Sequence, residues 1–375
     1  MEHPPLRVCH LIHALAQGGA EQVLVELAHV RNVTDLEFSV VSLMPTTGLP
    51  LPVRLRTLGV DVHSLGLPSR WDPRGLFRAL ALIRDLAPDV IHSHGKHADL
   101  VGAFVARRQS IPLISTLHVI EDEPSLVGRG KLWLAARARS RSAARTVAVS
   151  HALRNWYLEA FPVEPGRVVT IHNGVLPGSG TPTPNGAAVR SALGVPRNAV
   201  MASMVAMMRP GKGHAELIAA AAKIPASLPL SIVIIGDGPL REVLEASASS
   251  SSLPYRRVIF AGFREDVATL LEASDLIVHP SRFDALPTAL IHGLAAGLPT
   301  VATAVGGIPE IVTPETGVLI APGDTGALAR ALTRLAADPD LRHRLGLAAR
   351  RRFEVEFDAA LWACRLRDLY REVAA

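Results

Sequence analysis

On both sides of one linker, this chain alternates apolar runs of strand length with segments of helical character, and that alternation leaves few folds open. The linker is Leu176–Gly186, LPGSGTPTPNG, dense in proline, glycine, serine and threonine. Before it, strand-like runs include Leu6–Ile12, Phe38–Leu43, Val60–Leu65, Pro88–His92, Ile111–His118, Thr146–Val149 and Val168–His172. After it come Val200–Met207, Leu230–Ile235, Val258–Phe260, Asp275–His279 and Thr316–Ile320. Segments such as Gly75–Leu86, with Leu76, Ala79, Leu80 and Ile83 on one face, read as amphipathic helices between them. The pattern predicts an α/β chain of two Rossmann-like domains, each with a mostly parallel sheet. At 375 residues and 49% apolar content, the chain is long enough for two cores.

The charge balance of +5 permits contact with an anionic surface and demands none. Nucleic acid is not expected as a partner. Cys9 and Cys364 are the only cysteines, which suggests no disulfide framework and suits a reducing compartment. The first residues, MEHPPLRVCH, lack the apolar centre of a signal peptide, and no apolar run is long enough to span a membrane. A cytoplasmic location follows as the expectation. Arg129–Arg145 is the most basic segment and carries Leu132, Trp133 and Leu134 among its cations. It reads either as the solvated face of an ordinary helix or as a peripheral contact with the inner face of an anionic membrane.

The most informative stretch is Pro280–Val312, PSRFDALPTALIHGLAAGLPTVATAVGGIPEIV. It reads as loop, helix, strand, glycine turn and second helix. Pro287 suits a first helical turn, and Gly297 with Pro299 stops the helix. A loop feeding a helix start at the end of a strand is where α/β sheets hold phosphates, because free N–H groups and the helix dipole favour an anion. Thr288 adds a hydroxyl, and Thr288 and His292 share a helix face. On residue chemistry alone, Asp284 also reads as a helix cap and His292 as a packed helix residue.

This stretch resembles the signature of family 4 retaining glycosyltransferases, which have the GT-B fold. In that signature a serine-containing loop precedes two glutamates eight positions apart. Here Asp284 and His292 stand in those two places. The resemblance implies that Asp284 holds donor-sugar hydroxyls and that His292 faces the nucleotide ribose. Leu286, Pro287 and Thr288 would form the donor-binding helix start. A neutral imidazole offers one donor and one acceptor, so His292 cannot copy a bidentate carboxylate.

The resemblance extends along the chain. Gly18, Gly19, Ala20 and Glu21 match the family's GGAE loop, which places Gly18 and Gly19 near the donor phosphate and Gly19 and Glu21 toward the acceptor. His94, in the His92-Ser-His94 strand end, falls on the acceptor side, and His118 on the donor sugar and leaving group. A strand-end histidine bonded to backbone is the plainer reading of His118. His92, His94 and His97 lie close enough to suggest a metal, but no carboxylate or cysteine completes the set nearby, and no metal is expected. Met208–Gly213 matches the loop whose cations neutralise the diphosphate. Lys212 fits, Met207 stands at the usual arginine position, and Arg209 lies two residues on. Gly262 and Arg264 would lie along the base.

By resemblance, the domains are 1–178 on the acceptor side and 179–355 on the nucleotide-sugar side. A last helix in 356–375 returns to the first domain. The implied reaction moves a hexosyl unit from a nucleotide-diphosphate sugar to a hydroxyl of a lipid, polysaccharide or small metabolite. Configuration is retained, the nucleotide sugar is a substrate, and no cofactor is required. UDP is expected over GDP or ADP on family frequency alone. His118, Asp284 and Lys212 are the catalytic candidates. Two alternatives stay open: a nucleotide-sugar epimerase on the same fold, and a non-catalytic relative with a degraded donor site.

Overall fold

The structure is a computed structural model that describes residues 5–16, 18–67, 74–120, 126–177, 186–251, 253–254 and 257–375. Most of the linker, 178–185, lies outside the described residues. The chain divides into two units, Met1–Gly174 with Ala359–Ala375, and Val175–Asp358.

The first unit is built on seven strands: β1 Leu6–Ile12, β2 Leu36–Ser42, β3 Asp61–Ser64, β4 Val90–His94, β5 Leu113–Leu117, β6 Ala143–Ala148 and β7 Val168–Thr170. They pair in parallel in the order β3-β2-β1-β4-β5-β6-β7. The order reverses between β1 and β4, the position where open α/β sheets take ligands beyond the strand C-termini. One face carries Cys9, Leu11, Ile91 and Leu113 against Ala79, Ile83 and Val105 of the flanking helices. On that same face a polar lock is fully buried: Ser93 and Ser115 each donate to Asp99 Oδ1 at 2.6 Å, and Arg139 reaches Asp99 Oδ2 at 3.3 Å. The other face places His10 beside His92, and His94 beside Thr116. Helix Ala359–Ala374 belongs to this unit and buries Trp362, Leu366 and Tyr370. Its Tyr370 hydroxyl bonds His92 Nδ1 at 2.6 Å.

The second unit has six strands: β8 Val200–Val205, β9 Leu230–Ile235, β10 Val258–Gly262, β11 Leu276–His279, β12 Thr300–Thr303 and β13 Gly317–Ile320. All pairs are parallel, in the order β10-β9-β8-β11-β12-β13. Sheets covered on both faces need strands that are apolar throughout, and all six residues of β9 are buried. Ile232, Ile234, Leu276 and Val278 pack on Leu217, Leu328 and Leu332 on one face. Met201, Val233 and Ile235 pack on Leu270 on the other. Each such aliphatic side chain contributes roughly 1.5–3 kcal/mol by burial. Here the strand order reverses between β8 and β11.

Several elements differ in extent or kind from the sequence expectation, and β7 stops at Thr170 rather than His172. β4 runs on to His94, past the expected end at His92, and the next helix is Lys96–Gln109, longer than the Asp99–Ala106 that the sequence pattern suggests. The segment Ala246–Ser252, whose run of serines reads from the sequence as a low-complexity loop, is helical as far as Ser250. There Ser249 donates to the Glu245 carbonyl, and Ser250 and Ser251 donate to that of Ser247. The hydroxyls turn back on the helix they would otherwise interrupt. Pro287 stands at the N-cap of helix Thr288–Ala295 rather than inside its first turn.

Candidate active site

In the second unit, three loops meet at the C-terminal ends of β8, β11 and β12. The β8 loop turns at Gly213, with φ +81°, where a Cβ would lie 2.0 Å from the Pro280 carbonyl oxygen of the β11 loop. The β12 loop turns at Gly306, with φ +51°, where a Cβ would lie 1.8 Å from the Asp284 carbonyl oxygen. Only glycine lets the three backbones approach this closely. Gly307 N–H then donates to that Asp284 carbonyl at 3.1 Å.

Asp284 is the centre of the cluster. Its Oδ2 accepts from Lys212 Nζ at 2.6 Å, His279 Nε2 at 2.9 Å and Ser281 Oγ at 3.2 Å. Both ends of the ion pair are largely buried. Burial alone would raise the Asp284 carboxyl, but the His279 hydrogen bond and the Lys212 charge outweigh it and hold it below the usual carboxylate range. Because a carboxylate only accepts, His279 carries its proton on Nε2. All three donors use one oxygen, so Oδ1 stays outside this network. His214, the first residue of helix His214–Ala221, is held neutral by burial, which lowers it to about 4.

The other donor-side expectations in this unit lie on helix Thr288–Ala295, in the β8 loop, and at the end of β10 and just after it. Helix Thr288–Ala295 begins at Pro287, which supplies no side-chain cap; Leu290 N–H donates to the Pro287 carbonyl at 3.0 Å, and the N–H groups of Thr288 and Ala289 precede it in the first turn, where a helix favours an anion. Leu286 and Pro287 are buried, and Thr288 and His292 are half-buried. In the β8 loop Met207 and Arg209 are exposed while Met208 between them is buried. Arg209 and the residue at the usual arginine position therefore share the loop's outer side. Gly262 ends β10 with φ +68°. Arg264 grips Asp266 through two bonds, 2.7 Å and 2.6 Å, on an exposed turn.

In the first unit, Gly18 and Gly19 are exposed at the start of helix Gly19–Val30. Glu21 folds its carboxylate back over Gly18, where it serves the positive end of its own helix. Burial raises the Glu21 carboxyl. His94, expected on the acceptor side, is buried among other histidines. It is 6% exposed, and both ring nitrogens are taken: Nε2 lies 3.0 Å from His10 Nδ1, and Nδ1 lies 3.0 Å from His118 Nε2. His118 follows β5 and is half-buried. Burial lowers His118 to about 4 and His10 to about 3, and holds His92 and His94 well below 6.5 with help from neighbouring imidazoles.

Sequence reasoning missed His279 and His10. Each is a single histidine in an apolar strand, and its role depends on a residue distant in sequence. The alternation within β1, which puts His10 on the face of Val8 and Ile12, is the one local signal for His10.

Two family profiles divide the chain between them. Glycosyltransferase Family 4 matches residues 17–177, and Glycosyl transferases group 1 matches residues 188–352. An alpha-maltose-1-phosphate synthase from Mycolicibacterium smegmatis is 30% identical over 364 residues, covering 87% of this chain and 94% of that protein. This chain belongs to the family 4 glycosyltransferases. A D-inositol 3-phosphate glycosyltransferase from Streptomyces scabiei is 28% identical over 370 residues, covering 88% of this chain and 81% of that one. Among solved structures, HepE from Anabaena in complex with UDP-glucose has a TM-score of 0.85 at 22% identity. The match covers 98% of this chain and 100% of that one. A glycosyltransferase from Rickettsia africae has a TM-score of 0.84 at 20% identity, covering 99% of each chain. The two parallel sheets are those of the GT-B fold, and the chain is a hexosyltransferase of the retaining group 1 class.

Proposed function

We propose that this glycosyltransferase takes a UDP-hexose as donor, binds it on the unit Val175–Asp358, and passes the hexosyl group to a hydroxyl acceptor with retention. The observation that carries this reading is Asp284, kept ionised by Lys212 and His279 beside an uncapped helix start. Its Oδ1, which takes no part in those three bonds among the described residues, suits a sugar hydroxyl, and Lys212 suits a diphosphate oxygen. The leaving group needs its growing charge neutralised. Lys212, Arg209 and the N–H groups at Thr288 would supply this. His118 would orient the sugar and the leaving oxygen, and His292 would meet the ribose. The acceptor proton would pass to the departing phosphate oxygen on the same face, so no separate nucleophile is required. In this reading the nucleotide sugar is a substrate and no cofactor takes part.

UDP is favoured because HepE, which shares the fold, has been solved with UDP and with UDP-glucose. Relatives named for transfer to D-inositol 3-phosphate and to a GlcNAc-diphosphoundecaprenol, and one named for its product alpha-maltose-1-phosphate, leave the acceptor class open. A lipid-linked acceptor would suit the first unit's basic helix Leu126–Ser142. Trp133 and Leu134 are exposed there, Arg137 stacks over Trp133, and Arg129 and Lys131 are exposed. Among the described residues no helix is long and apolar enough to cross a membrane.

A thermal-shift panel with UDP, GDP and ADP, each with and without EDTA, tests the donor assignment. Stabilisation by UDP alone, unchanged by EDTA, is expected. No shift with any nucleotide would favour a degraded donor site. Turnover of the donor sugar without release of UDP would favour an epimerase.

A further inference from the structure

The first unit holds a line of three imidazoles whose length exceeds what a single site residue needs. His10 Nδ1 meets His94 Nε2 at 3.0 Å, and His94 Nδ1 meets His118 Nε2 at 3.0 Å. Three adjacent parallel strands, β1, β4 and β5, place them on one face. His10 is 1% exposed, and its Nε2 has no hydrogen-bond partner among the described residues. Only the far end, His118, is half-exposed, and the line uses its Nε2 and leaves Nδ1 outside.

The arrangement constrains protons. A neutral imidazole has one donor and one acceptor. His94 is bonded at both nitrogens, so it donates at one and accepts at the other. Both bonds then run in the same direction along the line. A doubly donating His94 would be a cation in an apolar surrounding, which burial opposes. Two neutral states remain. In one, all three protons sit on Nε2, and His10 buries an N–H with no oxygen or nitrogen acceptor among the described residues, with the Phe38 ring edge-on to its own at 5.2 Å. In the other, all three sit on Nδ1, and His10 buries a bare lone pair. On the backbone, buried N–H groups without a partner are rarer than under-satisfied acceptors, and the same preference carried over to the ring favours the second state.

A metal is the competing use of these rings, since ligand atoms of His10, His92 and His94 lie within 4.8 Å of one another. His92, however, is already bonded at both nitrogens, to Tyr370 and Thr116, each at 2.6 Å. The surrounding side chains Val23, Leu24, Leu27 and Val147 bring no carboxylate to balance a divalent charge.

We propose that His10, His94 and His118 form one tautomeric unit, in which His10 and His94 act as positioning residues that fix the proton of His118 on Nδ1. His118 then presents a permanent N–H donor, the form that suits an anionic leaving oxygen. The use of that donor rests on the transferase reading. The tautomer itself does not.

The test is a set of long-range proton–nitrogen correlation spectra of histidine-labelled protein near neutral pH, assigned by single substitutions. All three rings are expected as the Nδ1–H tautomer. His118 found as Nε2–H in the wild type, or the three rings found in different tautomers, would overturn the proposal. His10→Leu removes the end donor. It is expected to release His118 toward the Nε2–H form that free imidazole prefers, and to lower kcat about tenfold, the weight of one hydrogen bond. His10→Asn offers an amide N–H in place of Nδ1–H and is expected to restore both. A merely structural role would leave the His118 tautomer unchanged in both variants, and that result also overturns the proposal. Should His10→Leu fail to fold, the wild-type spectrum alone decides. If the wild type turns over no nucleotide sugar, the transferase reading fails while the tautomers are still read.

Discussion

Lys212 and Asp284, 72 residues apart in sequence, form a 2.6 Å ion pair that is largely buried at the C-terminal ends of β8 and β11. Under the proposed reading, Asp284 and the donor diphosphate would compete for the same lysine.

The two partners should respond in opposite ways to substitution. Lys212→Met removes the cation and is expected to weaken UDP binding at least about tenfold. Asp284→Asn frees Lys212 and is expected to leave UDP binding equal or tighter, while transfer from the UDP-hexose falls by roughly 100- to 1,000-fold. Calorimetry with UDP alone separates the two. Parallel loss of UDP affinity in both variants would contradict this division of roles. Each variant strands one buried charge, so unfolding free energy should drop, by about 3 kcal/mol at most sites of this kind.

Stability should fall in mild acid, and the histidines set the window. His10, His92, His94 and His118 all have folded pKa values below 6.5, as does His214 in the second unit. The unfolded chain binds protons at these residues first, so their contribution is complete above about pH 6.5 and is lost as pH falls toward about 4. Asp284 works in the same direction only at lower pH, because its folded value lies below 3.8. Asp99, raised by burial, opposes both. Melting temperature recorded from about pH 8 down to about pH 5 should decline, with a shallower slope in His10→Leu. A flat profile would mean these rings are not buried as neutral groups.

His292 limits the grip on ribose under the proposed reading. His292→Glu supplies two acceptors and should tighten UDP about tenfold, the worth of one charged hydrogen bond. The gain should vanish with 2′-deoxy-UDP. Equal affinity of the variant and the wild type for UDP would sink the assignment.

Gly306 holds the loop junction. A Cβ there would lie 1.8 Å from the Asp284 carbonyl oxygen. Gly306→Ala is expected to cost more than about 2 kcal/mol and to abolish donor binding. Gly48 has a similar φ of +76° but open space around its Cβ position. Gly48→Ala should cost only about 1 kcal/mol, from backbone strain alone. Comparable losses in the two variants would show that the conformation, not the contact, decides.

The strands were legible because buried parallel strands are apolar on both faces, and β9 and β11 show it directly. His92-Ser-His94 was not read as strand to its end. Three polar residues in a row look like a loop when their partners, on β1 and β5 and in helices Lys96–Gln109 and Ala359–Ala374, are invisible locally. The serine tract at 246–250 misled for a related reason, since its hydroxyls satisfy themselves on the helix backbone. At the candidate site, Asp284 and Lys212 could be read from motif position. Their pairing with each other and with His279 could not, because it exists only once β8 and β11 lie side by side.

The most direct measurement is UDP release from a panel of UDP-hexoses in the presence of EDTA, with the wild type and Asp284→Asn side by side. One donor should be cleaved by the wild type, faster when the matching hydroxyl acceptor is added, and Asp284→Asn should lose at least about a hundredfold of that rate. Release of UDP at equal rates from both proteins, or none from any UDP-hexose, would contradict the role given to Asp284 in a UDP-hexose transferase.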